Sequence, residues 1–228
     1  MASRKDEKER LRREREERER AAAAKAKRTR LLQLIGGVIV ACAIIAGVAY
    51  AVSTSGGGDA DAGGDIDNDK LKAAAQTSGC VYRSFPNEGQ EHESKKFTPA
   101  DYRTNPPTSG AHLPPGQEAP DGLYVAGNEP EIGSWVHTLE HGRILFQYRP
   151  GTDRATVAKL EQLFNEEVAG SGGAYHSVLM RNNTKMPFQV AAVAWRHYMA
   201  CREFTPEAVS ALRTFREELV DQAPEKVP

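Results

Sequence analysis

Two histidines four residues apart are the feature of this sequence with the clearest chemical meaning. They are His137 and His141, in a segment that reads WVHTLEHG. On a helix, residues four apart lie on one face with Cβ atoms about 5–6 Å apart, so their imidazoles can hold one metal ion. Glu140 lies on nearly the same face. It could be a ligand, orient a ligand or act as a general base.

The order His-x-x-Glu-His is also the pattern of the inverted zinc peptidases, in which the glutamate activates a zinc-bound water. That pattern requires a continuous helix. Here Gly142 follows at once, and a strand-like pattern begins at Arg143. We therefore expect one terminal helical turn that runs into a strand. A metal-dependent hydrolase using Glu140 remains an alternative function.

A second histidine-bearing segment reads NPPTSGAH and ends at His112. Paired prolines stiffen the chain and a glycine permits a tight turn, so His112 should project from a defined loop. His92 could approach the same place. The turn motif itself consists of Asn105, Pro106, Pro107, Thr108, Ser109 and Gly110.

These segments resemble a bacterial envelope family catalogued as domain of unknown function 3105. The resemblance covers about residues 79–218, and it also rests on a Val/Ala-rich run with Ala194 and Trp195 and on a late Cys201. It maps the family's histidines onto His92, His112, His137 and His141, with Glu140 inside the last motif. It implies an N-terminal membrane span, and it implies no activity.

The residues and the resemblance together predict a metal site formed by His92, His112, His137 and His141. Three or four imidazoles without a thiolate suit zinc or copper. The alternative is that these histidines cap turns and bond to backbone carbonyls. The protein would then be an envelope interaction module with structural histidines.

An apolar run places the protein in a membrane. Residues 31–52 form 22 consecutive positions without a charged side chain, and a spanning helix needs about 20. Basic residues crowd its N-terminal end and none follows it before Lys70, which predicts a single-pass protein with a cytoplasmic N-terminus. A cleaved signal peptide is the rival, but its apolar core is usually shorter. We expect the C-terminal part to be extracytoplasmic.

Charge divides the chain at the same point. Residues 1–30 contain 13 Lys/Arg and 7 Asp/Glu, whereas the remainder contains 17 and 24. The first stretch is expected to be a helical or disordered cytoplasmic tail that can contact anionic lipid. Nothing in it resembles a module that reads nucleic acid. Residues 53–69 predict a flexible acidic linker, and residues 70–228 one globular domain.

Two cysteines, Cys80 and Cys201, lie in this outer domain. An even count in an oxidising compartment predicts a disulfide between them.

The regular elements predict an α+β domain. A short helix should start near Asn68, and a long irregular Pro/Gly-rich segment covers residues 97–134. A β-α-β-β-α pattern follows, with strands at 143–148, 177–181 and 188–198. One helix starts at Thr152 or Asp153, has an apolar stripe as far as Val168 and stops at Gly170. The other starts at Thr205.

Overall fold

The structure is a computed structural model that describes residues 66–168, 170–225 and 227. The predicted cytoplasmic tail, the predicted span at 31–52 and nearly all of the linker lie outside the described residues. Among the described residues, no helix is long and apolar enough to cross a membrane.

In the described part of the chain, six strands form one mixed sheet and four helices accompany it, so the predicted α+β class is confirmed. The helices are α1 (Asn68–Ser78), α2 (Ile132–Glu140), α3 (Arg154–Phe164) and α4 (Pro206–Leu219). The strands are β1 (Val81–Ser84), β2 (Gly122–Leu123), β3 (Ile144–Tyr148), β4 (Ser177–Arg181), β5 (Val190–Ala194) and β6 (His197–Cys201). Their order in the sheet is β1-β6-β5-β3-β4-β2. Strands β3, β4 and β2 run parallel, and the other neighbours are antiparallel.

Each face of the sheet carries its own core. Alternate strand side chains point to opposite faces, so Phe146 and Leu145 contribute to different clusters. Helices α1, α3 and α4 cover the Phe146 face, as shown by the buried Leu71, Leu160 and Phe215. The Leu145 face is covered by α2 and by the irregular segment before it. The candidate site residues lie in or beside α2 and the irregular segment that cover this Leu145 face.

The helix boundaries follow from capping chemistry. The Asp153 carboxylate accepts from the Thr156 amide, and the Thr205 hydroxyl accepts from the Ala208 amide. Both side chains satisfy amides that have no partner within their helix. Pro206 occupies the first turn of α4, where its missing amide hydrogen costs nothing. These caps are the ones that the sequence indicated.

Two predicted elements differ in extent. Helix α3 ends at Phe164, and Val168 lies beyond it in an isolated bridge with Ser171. The Phe164 carbonyl accepts instead from the Ala174 amide, which turns the chain away from the helix. In addition, α2 begins at Ile132, inside the segment predicted to be irregular, and is a nine-residue helix rather than a single turn.

The prediction of one strand over residues 188–198 is wrong. The structure has a hairpin there, in which β5 and β6 pair antiparallel from Val190↔Cys201 to Ala194↔His197. The chain turns at Trp195 and Arg196, and Arg196 has a φ of 66°. Glycine or asparagine usually marks such a turn, and neither is present, so the sequence carried no turn signal.

The predicted disulfide between Cys80 and Cys201 is confirmed. Cys80 directly precedes β1 and Cys201 ends β6, and the neighbouring pair Val81↔Ala200 sets the register. Both cysteines belong to the core cluster of the face covered by α1, α3 and α4. The bond therefore lies on the opposite face of the sheet from α2.

Candidate metal site

Helix α2 carries two of the candidate site residues, His137 and Glu140, ends directly before a third, His141, and is almost entirely buried. Trp135, Val136 and Leu139 pack on the sheet and are 0% exposed. Gly133 lets the preceding segment approach, because a Cβ there would lie 2.3 Å from the Phe97 ring. The helix is therefore held on several sides, which fixes the direction in which His137 and Glu140 project.

The end of α2 is set by Gly142, which has a φ of +81°. Its amide donates to the Leu139 carbonyl, and its own carbonyl accepts from the Asp221 amide. The Glu225 amide donates to the Glu140 carbonyl. The C-terminal segment thus closes over the end of the helix and covers the motif.

We expect Gly142→Ala to destabilise the fold by more than about 2 kcal/mol. The left-handed conformation alone costs about 1–2 kcal/mol for an L-residue, and the new Cβ would lie 2.8 Å from the Asp221 Cα. Gly151→Ala is the matched control, because Gly151 also has a positive φ of +87° but meets nothing within 4 Å. Urea unfolding measures both. Equal losses in the two variants would contradict the role given to the Asp221 contact.

Two chain segments outside the regular β-strands bring His92 and His112 together. They form an isolated parallel bridge, in which the His112 amide donates to the Glu91 carbonyl and the Glu93 amide to the His112 carbonyl. The ring centroids of the two histidines lie 4.8 Å apart. Backbone pairing, rather than a helix, thus sets these two side chains next to each other.

The rings of His92, His112 and His137 converge with the Glu140 carboxylate. The centroid of His137 lies 4.6 Å from that of His112 and 4.9 Å from that of His92. One ligand atom from each of the four residues lies within 4.8 Å of every other. Donors bound at 2.0–2.1 Å to one ion can be no more than about 4.2 Å apart. Oε2 of Glu140 meets this limit, because it lies 3.0 Å from Nε2 of His112 and 3.9 Å from Nε2 of His92.

His112 is held in the tautomer that leaves its Nε2 lone pair free. Its Nδ1 lies 2.8 Å from the Gly110 carbonyl oxygen, which can only accept, so Nδ1 carries the proton. Nε2 lies 3.0 Å from Oε2 of Glu140. No well-aligned hydrogen bond joins the two atoms, although both are buried. The two lone-pair atoms are therefore close together without being aligned on each other.

The surroundings lower the pKa values of both Glu140 and His137. Burial acts to raise the pKa of Glu140, but His112, the Gln90 side chain and His137 together bring it below its usual value. Burial, followed by repulsion from His112 and His141, lowers the pKa of His137, and Glu118 and the nearby Leu113 carbonyl oppose this only in part. A carboxylate and a neutral imidazole are the forms that bind metal ions.

His141 joins a different group from the one that contains His92 and His112. With Glu118 and His137 it forms a second set whose ligand atoms lie within 4.8 Å of one another. Nε2 of His137 is 3.5 Å from Oε1 of Glu118, and the centroids of His137 and His141 are 4.6 Å apart. The Glu225 carboxylate lies 3.2 Å from Nε2 of His141. The structure thus places Glu140, rather than His141, with the first three histidines.

The turn motif 105–110 supports the site without entering either set. Asn105 exchanges hydrogen bonds with Thr184 through its side chain, and the Ser109 hydroxyl accepts from the Glu88 amide. The Thr108 carbonyl accepts from the Arg196 amide, which ties the motif to the hairpin turn. Gly110 has a φ of +122°, and its carbonyl is the acceptor that orients His112.

A pocket of about 330 Å³ adjoins the second set. Its lining residues are Glu118, Ala119, Pro120, Asp121, Thr138, His141, Arg143 and Val227. The Arg143 guanidinium donates there to the His141 and Val227 carbonyls. Its Nε lies 3.6 Å from Oδ1 of Asp121. The sequence did not predict Glu118 as a site residue, because Glu118 lies in the segment without periodicity and belongs to no motif.

Comparisons with known proteins give a family but no activity. No curated protein and no solved structure matches the chain. A family model described as "Protein of unknown function (DUF3105)" matches residues 93–227, a range that includes His112, His137, Glu140 and His141. Because this match covers more than half of the sequence, the chain belongs to the DUF3105 family.

Proposed function

We propose that the protein is a membrane-anchored extracytoplasmic protein that binds a transition metal ion through His92, His112, His137 and Glu140. The observation that carries the proposal is the pair formed by Nε2 of His112 and Oε2 of Glu140. These atoms are buried and 3.0 Å apart, and no well-aligned hydrogen bond joins them. Such an approach is favourable only when a cation is shared by the two atoms, either a second proton on the imidazole or a metal ion bound by both, and we propose the metal ion.

The details around His112 match those of metal-binding histidines. Such a ring usually donates its other N–H to a carbonyl or carboxylate, which fixes the tautomer and the ring orientation. The Gly110 carbonyl supplies that partner. An interaction module with purely structural histidines would instead have these nitrogens bonded to backbone carbonyls. Neither ring nitrogen of His137 makes a well-aligned hydrogen bond.

The donor set favours zinc or copper. Three imidazoles and one carboxylate suit a four-coordinate zinc ion, and copper(II) also takes nitrogen and oxygen donors. The two described cysteines are joined in the disulfide, so neither offers a thiolate. The hydrolase alternative needs Glu140 as a base, and its position within the ligand set favours a ligand role instead.

Two independent features support an extracytoplasmic location for the domain. The Cys80–Cys201 disulfide suits an oxidising environment outside the cytoplasm. The uncharged residues 31–52, with basic residues before them, supply the proposed anchor and its orientation. Under this proposal the metal ion is acquired outside the cytoplasm, and the anchor keeps the site close to the membrane surface.

The proposal predicts that the full chain retains zinc. The chain is purified in mild detergent with an affinity tag that contains no histidine, incubated with zinc and freed of excess, and its zinc content is measured by elemental analysis. We expect at least one ion per wild-type chain and at least one fewer in His112→Ala and in Glu140→Gln, because each loses a donor. Glu166→Gln, which alters a carboxylate that pairs with Arg213 and belongs to neither ligand set, should match the wild type. Wild-type content in both site variants would contradict the proposal.

A further inference from the structure

We infer that the protein has a second metal position, formed by Glu118, His137 and His141, and that His137 is shared between the two ions. The inference rests on the proposed function for the first position. It extends that function from a site for one ion to a centre for two.

The second position has its own ligands at suitable spacing. The ligand atoms of Glu118, His137 and His141 lie within the same 4.8 Å as those of the first set. Two of the three donors, Glu118 and His141, are absent from the first set. Glu225, 3.2 Å from Nε2 of His141, can hold that ring in place.

His137 differs from His112 in the hydrogen bonding of its ring nitrogens. His112 has one nitrogen bonded to the Gly110 carbonyl and one free, as expected for a ligand of a single ion. His137 is 1% exposed, and neither of its nitrogens makes a well-aligned hydrogen bond, although the Leu113 carbonyl lies within reach of the ring. Two unsatisfied nitrogens in one buried ring are costly. One ion at each nitrogen would satisfy both.

Each ring nitrogen has a single lone pair, so one nitrogen cannot serve both ions. Simultaneous occupancy therefore uses one nitrogen of His137 for each ion. The remaining N–H bond breaks when the second ion binds, its proton passes to solvent, and the electron pair forms the new bond to the metal. The bridging ring is then an imidazolate.

The pocket distinguishes the two positions. Glu118 and His141 line the pocket of about 330 Å³, whereas none of His92, His112 and Glu140 does. With three protein donors, the second ion keeps a coordination position that water or a small ligand entering the pocket can fill. This is the arrangement of exchangeable rather than closed zinc sites.

Zinc stoichiometry of the full chain tests the inference. We expect two ions per wild-type chain and one per chain in Glu118→Gln and in His141→Ala. Asp121→Asn is the matched control, because Asp121 lines the same pocket and belongs to neither set. It should retain two ions. The Glu118 side chain is 27% exposed, and a glutamine oxygen can still accept from the Gly116 amide, so we expect Glu118→Gln to fold.

The outcomes separate this inference from the function on which it rests. One ion in the wild type, lost in His112→Ala and kept in Glu118→Gln, overturns the second position and leaves the first. No ion in the wild type overturns both. Two ions in the wild type and also in Glu118→Gln overturn the assignment of Glu118. If copper(II) fills both positions, magnetic coupling between the ions should appear in the electron paramagnetic resonance spectrum, and isolated copper signals would contradict the shared ring.

Discussion

Zinc is expected to raise the free energy of unfolding by about 4 kcal/mol when free zinc is 1,000 times its dissociation constant. The reason is that the site exists only in the folded chain. His92 and His112 are joined by a backbone bridge, and His137 and Glu140 by a helix. Unfolding separates these elements and releases the ion. Urea unfolding with chelator and with zinc measures the difference.

A control variant should lower stability without removing a metal ligand, so that a general loss of stability can be distinguished from a loss of zinc binding. His197 is buried in β6, and its Nδ1 lies 2.9 Å from the Tyr82 hydroxyl, outside both ligand sets. His197→Ala should lower stability without zinc but keep most of the increment that zinc adds. His112→Ala should lose most of the increment. If zinc stabilised both variants equally, the ion would be binding somewhere other than this site.

Removal of the disulfide is expected to cost about 4–5 kcal/mol. By the chain-entropy model, a cross-link that closes a long loop restricts the unfolded chain, and the separation here is 121 residues. Cys80 and Cys201 are both buried, so their replacement by alanine also perturbs packing at the β1–β6 edge. The double variant Cys80→Ala/Cys201→Ala is compared with the wild type by urea unfolding.

The same double variant should bind zinc with unchanged stoichiometry as long as it is folded. The disulfide belongs to the core under α1, α3 and α4, whereas α2 packs on the opposite face of the sheet. A loss of stability below about 1 kcal/mol would contradict the structural weight given to the bond. A loss of zinc from the folded variant would show that the two faces are coupled.

Local chemistry made much of the fold predictable. The caps at Asp153 and Thr205, the strand at Ser177–Arg181 and the disulfide all depend on residues that are close in sequence or few in number. The β5–β6 hairpin was not predicted, because Arg196 takes a positive φ and arginine is not a residue type that indicates such a turn. Its conformation is imposed by the strands on either side, whose pairing involves the whole sheet.

The candidate site was predictable only as far as its motifs reach. The spacing of His137 and His141 indicated that they share a face, and their centroids lie 4.6 Å apart. The sequence could not show that Glu140, one position earlier, would point toward His112 while His141 caps the helix. Successive helical residues are about 100° apart, and only the packed orientation of α2 decides which one faces the loops.

Glu118 is a candidate ligand that no sequence pattern indicated. It lies in a segment rich in proline and glycine, where no periodicity indicates which way a side chain points. Its carboxylate accepts from the Gly116 amide, a local turn contact that holds it near His137. The turn lies close to α2 because Thr138 donates to the Ala119 carbonyl. Such contacts between distant segments leave no pattern in a single sequence.

The central claim is tested most directly by the anomalous diffraction of zinc-loaded crystals, recorded on both sides of the zinc absorption edge. The account predicts an anomalous peak about 2.0–2.1 Å from Nε2 of His112 and at a similar distance from a carboxylate oxygen of Glu140. His92 and His137 should complete its coordination. A zinc-loaded crystal with no peak among these four side chains, and with His112 donating directly to Glu140 instead, would contradict it.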